Sequence, residues 1–136
     1  MTLNSPVVQV PVETFFDEFV VAFESFDGAV VALRYLTPYL AFHSDGSAEV
    51  FLSSADTAAY FQRILNSYRE KGCRSCRYTD LDTFPLGQNC VIATVTWELL
   101  GEDAAVLEAW RESYNLSRVE DRYRVFTSTD HVEVRQ

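Results

Sequence analysis

The sequence predicts an α+β domain in which amphipathic helices cover one face of an antiparallel sheet. Three observations carry the prediction. Along residues 90–100, Val91, Ala93, Val95, Trp97 and Leu99 alternate with Thr94, Thr96 and Glu98, the period of a strand with one face on a core. Gly101, Glu102 and Asp103 reverse the chain into a second long aromatic-bearing run, residues 106–117, so that the two pair as the centre of a sheet. Upstream, apolar residues recur at helical spacing, and those helices need an apolar surface to cover.

In chain order, residues 1–10 read as an extended or frayed arm. From Pro11, the positions Val12, Phe15, Phe16, Phe19, Val20, Phe23 and Phe26 repeat at helical spacing while Glu13, Asp17, Glu18 and Glu24 face away. Pro11 suits a first helical turn, and the early acids suit its positive end. Asp27 caps a second helix over residues 28–35, which Pro38 prevents from continuing past Thr37. Ser44-Asp45-Gly46 is a turn signal between two β-prone runs, 39–42 and 48–52, and predicts a small hairpin. Ser53 or Ser54 then caps a third helix with Thr57, Tyr60, Phe61, Ile64, Leu65 and Tyr68 on its inner stripe, ended by Gly72. Residues 74–84 read as a strand that leads through Pro85-Leu86-Gly87 into the central pair, and residues 123–129 as the last strand.

A chain of 136 residues with 48% hydrophobic content is expected to form one domain over residues 1–136. Its net charge of −9 argues against nucleic acid, whose phosphates need clustered Lys and Arg. Nothing approaches the roughly 20 apolar residues of a membrane span, and the N-terminus lacks a cationic start followed by an apolar signal core. Three cysteines, an odd count, suit a reducing compartment, and a cytoplasmic location is expected.

Cys73 and Cys76 form a C-x-x-C pair, elsewhere a redox couple or half a zinc site. Here the pair opens a strand instead of a helix, and residues three apart on a strand lie roughly 10 Å apart, beyond the roughly 7 Å that a disulfide spans. Zinc needs further ligands that no second motif supplies. Neither a metal nor a cofactor is expected, and no nucleotide, zinc-protease or serine-hydrolase motif is present. His43 closes the first strand of the hairpin, where an imidazole at the mouth of an apolar cavity can act as a general base or simply face solvent. His131 lies near the C-terminus and carries little information. Asp80 with Asp82, and Glu108 with Glu112, share strand faces; such pairs do acid/base work when one member is desolvated, but mostly mark the solvated side of a sheet. The aromatic residues are spread over all three helices and the strands, so several rings can converge on the enclosed space and suit a flat apolar ligand.

The order helix, helix, hairpin, helix, then four antiparallel strands, with Asp27 opening helix two and A-L-R-Y over Ala32 to Tyr35, resembles the nuclear transport factor 2-like (SnoaL-like) superfamily. That resemblance implies a cone-shaped, cystatin-like fold: three N-terminal helices on a strongly curved antiparallel sheet. It covers roughly residues 12–130, and the superfamily includes steroid isomerases, dehydratases and polyketide cyclases. Carrying the steroid-isomerase pattern over from Asp27 puts the catalytic base on His43, the phenolic acid on Phe19, a pocket tyrosine on Tyr35 and the helix-three pocket aromatics on Tyr60 and Phe61. The third polar position falls near Ser113, with Glu112 the nearest carboxylate. With base and phenol both replaced, steroid isomerisation itself is not expected.

The expected function is therefore binding of a small apolar or aromatic molecule, with Phe19, Phe23, Tyr35, Tyr60, Phe61, Val95, Trp97 and Leu99 lining the pocket. One alternative is an isomerase, dehydratase or cyclase using His43 as base with Ser113 or Glu112 as partner. Another is a non-catalytic module that dimerises or binds protein through the outer sheet face around Ile92, Thr94 and Thr96, and a homodimer through that face is expected in either case.

Overall fold

The central pair is β4, Cys90–Leu100, against β5, Val106–Val119, in register from Cys90 opposite Ser117 to Leu99 opposite Glu108. In this computed structural model, which describes residues 4–131, they sit within a six-stranded sheet. The others are β1 (Tyr35–Phe42), β2 (Ala48–Phe51), β3 (Ser75–Leu86) and β6 (Arg122–Asp130), in the order β2-β1-β6-β5-β4-β3. The helices are α1 (Pro6–Glu24), α2 (Gly28–Ala32) and α3 (Ser54–Glu70). Alternation assigned the inner face of β4 correctly: Val91, Ala93, Val95, Trp97 and Leu99 are all buried.

The structure departs from the sequence reading at four places. Helix α1 begins at Pro6, so the expected arm of residues 1–10 is helical from there on, and residues 1–3 lie outside those described. Val8 carries the buried stripe of Val12, Phe15, Phe16 and Phe19 one turn upstream of Pro11. Helix α2 stops at Ala32, and Tyr35, expected in its last turn, instead opens β1 opposite Val125 of β6. Strand β3 runs through Pro85 to Leu86; it is the edge strand beyond β4, where a residue with no N–H is tolerated. Finally, β1 pairs parallel to β6, so the sheet is not wholly antiparallel.

Register shifts interrupt β3/β4 between Thr79 and Asp82, β4/β5 between Leu99 and Leu100, and β5/β6 between Asn115 and Leu116. Such bulges increase twist and bend, and so curve the sheet around its helices. The helical layer is fixed by specific contacts. The Asp27 carboxylate accepts from Ala29 N at 2.9 Å, and Ser53 Oγ accepts from Asp56 N at 3.1 Å, as N-caps do. Where α2 crosses α3, a Cβ on Gly28 would stand 2.2 Å from Ala58 O, so only glycine allows the approach. Gln62 Oε1 in turn accepts from Gly28 N at 2.7 Å. Among the described residues, no helix is long and apolar enough to cross a membrane.

Candidate functional site

Between the concave sheet and the helices lies a cavity of about 110 Å³ that side chains leave unfilled. Its helical wall is built from Phe19 and Phe23 of α1 and from Tyr60, Phe61 and Tyr68 of α3, which the helical period turns towards the sheet. On the sheet side stand Tyr35 and Tyr39 of β1, Trp97 and Leu99 of β4, and Trp110 and Tyr114 of β5. The rings form a continuous lining, with Phe19 against Trp97 at 5.4 Å and Tyr35 against Phe61 at 4.7 Å between centroids.

Two carboxylates enter this lining. Val95 faces Glu112 across β4/β5, and Glu112 faces Asp130 across β5/β6. Residues directly opposite one another share a face of the sheet, so both acids point to the side on which Val95 is buried. Trp110 Nε1 donates to Glu112 Oε1 at 2.9 Å, and Trp97 Nε1 donates to the Tyr114 hydroxyl at 2.7 Å. Tyr114 is itself a hydrogen-bond partner of Glu112. Burial and, second, the negative charge of Asp130 push the Glu112 carboxyl up to about 8, against the opposing pull of the Trp110 hydrogen bond. Near neutral pH, Glu112 is therefore mainly a neutral acid beside Asp130, and can donate or accept a proton. Burial also raises the Tyr35, Tyr39, Tyr60, Tyr68 and Tyr114 hydroxyls above their ordinary range. Among the described residues, no Lys or Arg lines the cavity.

Of the sequence-predicted ligand-binding residues, Phe19, Phe23, Tyr35, Tyr60, Phe61, Trp97 and Leu99 all line the cavity. Val95 does not; it is fully buried within the core. His43 stands among the lining residues, half-buried, with Nε2 at 3.5 Å from Glu49 Oε2. Ser113 is displaced from the expected site: the pleat puts it on the opposite face of β5 from Glu112, where its Oγ hydrogen-bonds Thr94 Oγ1 and His131 Nε2, each at 2.7 Å. His131 is thus held on the outer face. The cysteines are all free; burial raises the Cys76 thiol, which disfavours the reactive thiolate. The described residues hold no group of three or more His, Cys, Asp or Glu able to bind a metal.

Asp130, Ser128, Tyr39 and Trp110 belong to the cavity but escaped sequence reasoning. For Trp110 a signal existed, since it pairs directly with Trp97. For Asp130 it did not. Val125 is buried opposite Leu116, so unbroken alternation would send residue 130 outward; the bulge that follows restores Ser128 and Asp130 to the inner face.

The sequence pattern of the NTF2-like protein family (DUF6841) matches residues 9–133. Among solved structures, the chain is similar to Aln2 from a Streptomyces species, with 15% identity over 96% of this chain and 94% of that one and a TM-score of 0.77. It is also similar to an NTF-2 like protein of unknown function from Shewanella oneidensis (11% identity, 91% and 98% covered, TM-score 0.71). A third is a domain of unknown function with a cystatin-like fold from Nostoc punctiforme (10% identity, 97% and 81% covered, TM-score 0.70). Comparison with curated proteins finds no match.

Proposed function

The chain belongs to the NTF2-like protein family DUF6841, and from that membership we propose that it is a small-molecule-binding domain whose ligand, a compound built on a single ring, occupies the cavity. The observation that carries this reading is the unfilled space itself, about 110 Å³ lined by rings from α1, α3, β1, β4 and β5. A dry apolar cavity of comparable size, about 150 Å³, takes up benzene. Protein interiors are otherwise packed to crystal density, so a void of this volume with an ordered lining favours a ligand over a defect. Native mass spectrometry of the protein purified from cells tests this. A bound mass of one small molecule per chain, released on denaturation, is expected. A bare chain that no ring compound stabilises thermally would overturn it.

A second reading, an isomerase, dehydratase or cyclase, is favoured by the Glu112 carboxyl, which burial and Asp130 raise to about 8, where a carboxyl can exchange a proton near neutral pH. In that reading Glu112 is the acid/base group and His43 a second proton acceptor at the cavity. Conversion of the co-purified molecule by the native protein and its loss in Glu112→Gln would establish it; no conversion leaves the binding reading alone. A homodimer through the outer face is supported by Phe84, 53% exposed and paired with Ile92 on that face. Light scattering at several concentrations tests this, and a concentration-independent monomer would exclude it.

A further inference from the structure

We propose that the cavity selects a ring compound bearing a protonated amine, held with its ammonium group between Glu112, Asp130 and the Tyr35 hydroxyl. This rests on the ring-binding reading above and names the class of ligand. Glu112 and Asp130 are cross-strand partners on the inner face, and both line the cavity. The two acids bring negative charge into a space with no Lys or Arg among the described residues of its walls. Both acids are half-buried, with surface open to the cavity; holding carboxylates there without a cationic partner is costly, and the local answer in the empty protein is a proton kept between the two acids. A ligand cation supplies the missing charge directly.

A second observation points the same way. Tyr35 is 6% exposed and lines the cavity, yet its hydroxyl makes no hydrogen bond to any described residue, whereas the neighbouring Tyr39 hydroxyl bonds Ser128 Oγ at 2.6 Å. Since no fully buried side-chain oxygen or nitrogen of the described residues lacks a partner, the unbonded Tyr35 hydroxyl is one that opens onto the cavity. Its oxygen is free to accept an N–H of the ligand. The surrounding rings add the negative faces on which cations settle, with Tyr68 and Trp110 at 6.2 Å from one another. The titratable groups that line the cavity with Glu112 are Asp130 from β6, Tyr114 from β5, Tyr35 and Tyr39 from β1, Tyr60 and Tyr68 from α3, Cys76 from β3, and His43. The tyrosines remain neutral, so the acids dominate the field.

Three probes of matched size separate the possibilities: benzylamine, benzyl alcohol and benzoate, titrated calorimetrically into the intact protein near neutral pH. Benzylamine is expected to bind about tenfold more tightly than benzyl alcohol, with benzoate weakest. In Glu112→Gln and in Asp130→Asn, each checked for native circular dichroism, the preference for the amine over the alcohol shrinks. In Tyr35→Phe amine binding weakens while alcohol binding changes less. Benzyl alcohol or benzoate binding as tightly as the amine overturns this inference and leaves the ring-binding reading standing. Failure of all three to bind overturns both.

Discussion

Replacing Glu112 by Gln should alter how stability depends on pH. The unfolded carboxyl ionises near 4.5, whereas in the folded chain burial and Asp130 hold the proton up to about 8. Between those values the native state binds a proton that the unfolded state has lost, so stability falls as pH rises. The contribution is fully present below the unfolded value and is lost on passing through the folded one. Each pH unit in that window costs about 1.4 kcal/mol, so going from about pH 6 to about pH 7.5 lowers wild-type stability by about 2 kcal/mol through this group alone. Glutamine is nearly isosteric, keeps an oxygen to accept from Trp110 Nε1, and has no proton to lose in this range. Urea denaturation of both proteins at the two pH values measures the effect. The difference in stability between variant and wild type should move by about 2 kcal/mol in favour of the variant at the higher pH. A difference that stays the same at both values would mean that Glu112 is solvated and ionised in the folded chain.

Further expectations concern the frame around the cavity. Gly28→Ala drives a Cβ into the backbone of α3 at Ala58 and should lower stability by at least about 2 kcal/mol, read by thermal or urea unfolding. Leu116, fully buried on the sheet's inner face opposite Val91, should cost about 3 kcal/mol as Leu116→Ala, with no change of fold by circular dichroism. Tyr39→Phe leaves the buried Ser128 hydroxyl without its partner and should cost about 1–2 kcal/mol in the same assay. Ser113→Ala, on the outer face, should leave the binding of benzyl alcohol and benzylamine unchanged by calorimetry.

The frame was largely legible because burial is written in periodicity. Val91 to Leu99 alternate without interruption, and the stripes from Val12 to Phe23 and from Thr57 to Tyr68 keep the helical period, so both faces were assigned and Phe19, Phe23, Tyr60, Phe61, Trp97 and Leu99 line the cavity, whereas Tyr35 was placed there by the family resemblance alone. Features set by pairing were not legible. The end of α2 depends on Tyr35 finding Val125, about ninety residues later in the chain, and local propensity cannot anticipate such a contact. Asp130 is turned inward by a bulge, a single extra residue that reverses alternation and leaves no compositional trace. Ser113 and Glu112 are adjacent in sequence, so an uncertainty of one residue in register exchanged the cavity for the outer surface. The acidic end of the cavity was the feature hardest to anticipate, since acids on strands usually face solvent.

The ring-lined space beneath the sheet is tested most directly by soaking a crystal with para-bromobenzyl alcohol and locating the bromine by its anomalous scattering. A single peak between Phe19, Phe61 and Trp97 is the predicted result. Density showing those side chains closed over the space, with bromine only on the outer surface, would contradict it.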